Sequence, residues 1–186
     1  MDRTLLVNGL TFLLVDLMIF WKLTDPRSQD EKKADFKSLR VWLIGLFAFF
    51  FLVLNYLSGM NFPLPSSGFD DLINLLGILT FFAGFAISIW AKLTMGKHWG
   101  APVQHNQKRQ NKLIKHGPFK YSRNPIYVGL VLVLAGYGLA IQSVFTFLAI
   151  IPAYYFYKST LKEEPNLEKH FKEEYIKYKS EVPRFF

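Results

Sequence analysis

The feature that most limits this chain is a set of five apolar runs, Leu5–Trp21, Val41–Leu57, Leu72–Ala91, Ile126–Ile141 and Val144–Tyr157, in which Asp16 is the one charged residue. About 20 apolar residues cross the roughly 30 Å hydrocarbon core of a bilayer as a helix. Leu72–Ala91 is therefore predicted as a full span, and the first two runs suffice with interfacial flanks. The last two are short, but Ile126–Tyr157 as a whole is 32 uncharged residues, far more than one crossing needs at about 1.5 Å per residue. Gln142 and Ser143 mark its middle, so the pattern predicts a tight helical hairpin, with Pro152 bending its second arm. Thr24-Asp25-Pro26-Arg27 offers no small-residue cleavage site, so the first run is expected to stay in the mature protein.

The loops carry the orientation. Of 22 Lys and Arg residues, 21 fall in Lys22–Arg40, Lys92–Arg123 and the tail from Lys158, while Ser58–Asp71 and Gln142–Ser143 hold none. Short basic loops stay cytoplasmic. Five spans with the N-terminus outside and the C-terminus in the cytoplasm satisfy every loop together. The net charge of +8 is thus a topology signal, and no nucleic-acid reading motif accompanies it. Lys92–Arg123 contains no acidic residue, which suits anionic headgroups or an anionic ligand. Charged residues are 19% of the chain, below the roughly 25% of soluble domains. The expected fold is all-α: a multi-pass transmembrane helical bundle with a C-terminal hairpin and a cytoplasmic amphipathic tail helix. Residues 1–186 read as one integral membrane domain, with three spans in 1–94 and a binding loop, the hairpin and the tail helix in 95–186. The lipid bilayer is its first expected partner. The membrane would be the cell membrane in a prokaryote and the endoplasmic reticulum in a eukaryote.

Beyond the last run, Leu167, Phe171, Tyr175, Tyr178 and Val182 recur at helical spacing and Pro183 ends the pattern. This face is expected to lie on the inner membrane surface or to cap the cytoplasmic end of the bundle. The absence of cysteine excludes a disulfide framework, thiolate metal sites and thiol catalysis. His98, His105, His116 and His170 fall at no metal-ligand spacing, so no metal is expected. Asp16 either faces the bundle interior or hydrates near the inner interface. Dinucleotide, Walker, zinc-protease and nucleophile-elbow signatures are missing.

Two clusters can carry chemistry. In His116–Gly129, Gly117-Pro118 sets a turn, and Asn124-Pro125 starts a helix whose free amides favour an anionic group, with Arg123 as a bidentate partner. The second is Glu163-Glu164, where the last run leaves the membrane. Each also has a plain reading: a helix cap with snorkelling basic residues, and the first turn of a solvated helix.

The combination resembles the isoprenylcysteine carboxyl methyltransferase and phospholipid methyltransferase group of integral membrane enzymes. Their pattern runs roughly Gly-Pro-(Tyr or Phe)-x-x-x-Arg-His-Pro-x-Tyr-x-Gly, a hairpin, then Glu-Glu-x-x-Leu-x-x-x-Phe-x-x-x-Tyr-x-x-Tyr. Gly117–Gly129 and Glu163–Tyr178 are the matching stretches. The resemblance implies S-adenosyl-L-methionine as methyl donor and an apolar acceptor in the membrane, such as a prenylcysteine carboxylate or a lipid. It implies a donor site formed by His116, Gly117, Pro118, Phe119, Tyr121, Arg123, Asn124, Pro125, Tyr127 and Gly129. Arg123 would hold the anionic part of the donor. Glu163 and Glu164 would hold its ammonium or shape the acceptor side, and Phe119, Tyr121 and Tyr127 would enclose adenine or sulfonium. Two positions depart from the pattern. Asn124 stands for the usual His, and Lys158–Lys162 lacks the Arg that carboxyl methyltransferases place before the Glu pair.

Membrane steroid and sterol reductases, which bind NADPH, share part of the turn. They usually read His-Pro-Asn-Tyr-Phe-Gly-Glu where this chain reads Asn-Pro-Ile-Tyr-Val-Gly-Leu over 124–130. A non-catalytic lipid-binding protein is the third reading.

Overall fold

A computed structural model describes residues 3–25, 46, 49, 50, 53, 57, 64–98 and 112–186. Among the described residues the fold is all-α. The helices are α1 (Arg3–Leu23), α2 (Asp70–Met95), α3 (Pro125–Ala140), α4 (Ile150–Phe171) and α5 (Glu173–Glu181). Helices α1 and α2 are long and apolar enough to cross a membrane, and α3 is a shorter apolar helix. Most of the second run, Val41–Leu57, and much of the loop between α2 and Lys112 lie outside the described residues.

Packing divides the chain into two units, Met1–Leu79 with Ala135–Leu148, and Thr80–Leu134 with Ala149–Phe186. In the first, α1 buries Val7, Leu10, Leu14 and Leu17 and exposes Leu5, Phe12, Met18 and Ile19. The buried residues recur every three or four positions, as one face of a helix must. Thr11 shares a 2.8 Å hydrogen bond with the fully buried Tyr137. A Cβ on Gly77 would collide with the Ala140 backbone, and the Asn74 amide donates to the Ala140 carbonyl. Gln142 adopts φ 51°, and its amide donates to the Asp70 carbonyl at 2.7 Å while its own carbonyl accepts from Leu64 N–H at 2.7 Å. The two connections free of Lys and Arg therefore meet at one end of this unit. Just before α2, Ser67 N–H and Oγ both donate to the Asp70 carboxylate, at 2.9 and 3.0 Å, which fixes the entry of the chain into the helix.

In the second unit, α2 meets α3 through small residues. A Cβ on Gly84 would lie 2.6 Å from the Gly129 carbonyl oxygen, and one on Gly129 would strike Ser88 Oγ. Large apolar side chains on α2, including Phe82, Trp90 and Leu93, point outward, whereas Ser88 and Lys92 are buried. Small residues at the helix contact and large apolar ones outside is the pattern of membrane helices, where lipid solvates the outer face.

Three expectations change. The arm after Gln142-Ser143 begins as a 3-10 segment, Val144–Ala149, before α4; Thr146 N–H donates to the Ser143 carbonyl at 3.0 Å, and the Thr146 side chain packs against Gly138. Pro152 does not bend a helix interior. It occupies the first turn of α4, where a missing N–H costs no intrahelical bond. The tail is not one separate helix either: α4 runs from Ile150 through the Glu pair to Phe171, and the chain breaks at Lys172, whose φ is 47° and ψ −127°. Leu167, Phe171, Tyr175, Tyr178 and Val182 still share one side, packed with Leu113. The tail thus packs on the segment that leads into the Gly117-Pro118 turn.

Candidate active site

The site lies within the second unit and begins with a glycine that must be one. Gly117 has φ +61°, and a Cβ there would sit 2.9 Å from Thr94 Oγ1. Gly117–Lys120 makes one 3-10 turn, closed by Tyr121 and Ser122 N–H groups on the Pro118 carbonyl. Pro118 is fully buried, and Phe119 packs with Ala91 and Ile114. Tyr178 OH donates to the Phe119 carbonyl at 2.6 Å, which joins the tail to the turn.

Ser122–Asn124 follow, held by residues after α5. Arg123 N–H donates to the Pro183 carbonyl at 3.0 Å, and Ser122 Oγ and Asn124 Nδ2 donate to the Arg184 carbonyl at 3.2 and 3.0 Å. Asn124 N–H in turn reaches Ser122 Oγ at 3.1 Å. The Asn124 carbonyl accepts the Val128 N–H at 3.2 Å, so its backbone opens α3 while its side-chain amide serves the tail.

The Glu pair arrives from α4. Tyr127 OH donates to Glu163 Oε1 at 2.7 Å, and the Tyr127 ring stacks on Phe156 with centroids 4.7 Å apart. Glu164 binds two guanidinium groups: Arg123 Nη1 at 3.0 Å, and the fork of Arg184, whose Nε and Nη2 each lie 2.8 Å from one carboxylate oxygen. The side chains of Arg123 and Glu164 are 8% and 6% exposed. Among the described residues, the buried Arg123 Nε has no hydrogen-bond partner.

These surroundings separate the two carboxyls. Burial pushes Glu163 up to about 7, the Tyr127 hydrogen bond opposes the rise and the neighbouring Glu164 charge adds to it. Burial also works to raise Glu164, but its hydrogen bonds to Arg184 and the charges of Arg123, Arg184 and Lys179 outweigh it and hold the carboxyl below its usual range. Tyr175, whose hydroxyl lies 3.5 Å from Arg123 Nη1, is pushed up to about 12 by burial and the Glu164 charge. One carboxylate is thus locked in its charged form, and the other is poised to exchange a proton near neutrality.

A family model described as phospholipid methyltransferase matches residues 72–174, more than half of the chain. The chain belongs to the phospholipid methyltransferase family. A search of curated proteins found no match. The residues matched to this family run from the start of α2 through α4, and they include the Gly117 turn, Arg123, Tyr127 and both glutamates.

In this member of the phospholipid methyltransferase family, Arg123, Asn124, Tyr127, Glu163 and Glu164 come together with the tail. Phe119, Pro118 and Pro125 are core, and Gly129 is the close-approach point of two helices. His116 and Tyr121 are exposed, Tyr121 by 54%. Lys158 extends over the Tyr154 ring, 5.5 Å from its centroid. Ser122 and Arg184 escaped the sequence reading. The Val182-Pro183 stop drew attention to where the helix ends, and nothing local in Arg184-Phe185-Phe186 marks a return to position 123.

Proposed function

We propose that the protein transfers a methyl group from S-adenosyl-L-methionine to an apolar acceptor embedded in the membrane. The observation that supports this most is the convergence of the two motifs through Arg123–Glu164 and Tyr127–Glu163, in a chain of methyltransferase family. The unpartnered, buried Nε of Arg123 fits an anionic group such as the donor carboxylate. When bound, the donor supplies an electrophilic methyl on a sulfonium. What remains for the protein is alignment and exclusion of water, for which an aromatic, largely dry site suffices.

Among the described residues Glu163 pairs with a phenol and Glu164 with both arginines. The charge left for the acceptor side is therefore Glu163. That arrangement suits a lipid amine better than a prenylcysteine carboxylate, since a carboxylate acceptor would face the Glu163 charge and the stretch Lys158–Lys162 offers it no bidentate Arg. An ammonium must lose a proton before its nitrogen attacks, and a carboxylate titrating near 7 is matched to receive it. We further propose one integral membrane domain over 1–186 with five spans and the Arg123 loop in the cytoplasm. The meeting of Gln142 with Leu64 and Asp70 supports the sidedness. Detergent-purified protein should bind S-adenosylhomocysteine and not NADPH, and should transfer labelled methyl to an aminophospholipid in preference to a prenylcysteine. Binding of NADPH alone would overturn the reading.

A further inference from the structure

We propose that Arg184, which lies beyond the family-matched residues, is a positioning residue for the donor site, setting the place of Arg123 through Glu164. The inference rests on Arg123 holding the anionic part of the donor. Arg184 fixes the Arg123 loop in two ways. Its guanidinium fork takes both oxygens of Glu164 at 2.8 Å, so that Glu164 Oε1, shared with Arg123 Nη1 at 3.0 Å, stands at a defined point. Its carbonyl accepts from Ser122 and Asn124, and the preceding carbonyl of Pro183 accepts from Arg123 N–H. The guanidinium also lies over the Tyr157 ring, 5.9 Å from the centroid.

The fork is fully used by Glu164 at one edge, so Arg184 acts on a ligand through its neighbours. Without it, Glu164 keeps Arg123 as its one bonded cation and is free to turn both oxygens onto it. The Arg123 guanidinium is then drawn into a two-pronged internal pair, and its unpartnered Nε leaves the position in which it meets an anion. A lysine supplies the charge but not the two parallel N–H groups. The Arg184 side chain is 28% exposed, so truncation to alanine also removes packing over Tyr157, which the lysine stem largely keeps.

The test measures S-adenosylhomocysteine binding by the purified full chain as wild type, Arg184→Ala, Arg184→Lys, Glu164→Gln and the Arg184→Ala/Glu164→Gln double variant, with Lys177→Ala as a surface control. Melting temperature and donor and acceptor KM are recorded alongside. Arg184→Ala should weaken binding tenfold or more and raise donor KM with little change in acceptor KM. Arg184→Lys, which keeps the stem and charge and guards against an alanine variant that fails to fold, should recover less than half of that loss on a logarithmic scale. In the Glu164→Gln background the Arg184 change should add almost nothing. Wild-type affinity in both Arg184 variants, or losses that multiply in the double variant, overturns the positioning role while leaving the methyltransferase reading intact. A wild-type protein that binds no S-adenosylhomocysteine overturns that reading, and the inference with it.

Discussion

Glu163 accepts a hydrogen bond from Tyr127 at 2.7 Å, whereas Glu164, the next residue along the same helix, is held by Arg184 at 2.8 Å. Their contributions to stability should therefore depend on pH with opposite sign. Glu163 titrates higher folded than unfolded, so its contribution is complete below about 4.5 and is lost as pH rises through about 7. Glu164 titrates lower when folded; its contribution is present above 4.5 and lost as pH falls through the depressed value. In thermal unfolding, Glu163→Gln should gain on wild type as pH rises from 4.5 to 7, with a limiting slope of about 1.4 kcal/mol per pH unit, and Glu164→Gln should lose most at every pH above about 4.5. Parallel profiles for the two variants would contradict the assignment.

Activity should separate them as well. Glu163→Gln is expected to reduce methyl transfer to a lipid amine by roughly 10²-fold, the range of general-base catalysis, and to abolish the limb of the pH–rate profile centred near 7. A Glu173→Gln control, exposed at the start of α5, should leave transfer unchanged.

The two ends of the Arg123–Glu164 pair are not equivalent. Removing Glu164 leaves Arg123 buried with its charge uncompensated, whereas removing Arg123 leaves Glu164 still bound to Arg184. Glu164→Gln should cost about 3 kcal/mol or more in stability, as breaking buried pairs does, and Arg123→Ala distinctly less. Denaturant or thermal unfolding in detergent reads the difference.

Two backbone positions give further tests. Gly129→Ala should destabilise by about 1–3 kcal/mol, because its Cβ meets Ser88 and the Gly84 carbonyl. Lys172→Gly should stabilise by roughly 1 kcal/mol, because the φ 47°, ψ −127° of Lys172 is a region that side chains occupy at a cost of that order.

Sidedness is tested by single cysteines. One at Ser66, exposed just before α2, should react with an impermeant reagent from outside intact cells, and one at Ser180 should react only after permeabilisation.

The sequence made the helices legible wherever composition alone decides. The apolar runs 5–21, 72–91 and 126–141 match α1, α2 and α3 to within one to four residues at each end, and the Gln142-Ser143 turn is where polarity interrupts apolarity. The continuation of α4 past Tyr157 was hidden because hydropathy falls at Lys158 while helical geometry does not. The break at Lys172 was hidden because spacings of three and four persist across it, from Phe171 to Tyr175. Within the site, local motifs marked Arg123, Tyr127 and the Glu pair. Arg184 and Ser122 act through a pairing about 60 residues apart in the chain, which periodicity does not register.

Helix α4 carries Phe156, stacked against Tyr127, and Glu163 on one uninterrupted rod. Seven residues of α-helix separate them by about 10 Å along the axis. The Tyr127 side chain bridges the two, its face on Phe156 and its hydroxyl on the Glu163 carboxylate. A shift of α4 that parts the stacked rings would therefore also draw the phenol from the carboxylate, tying the packing of the apolar segment to the state of the site.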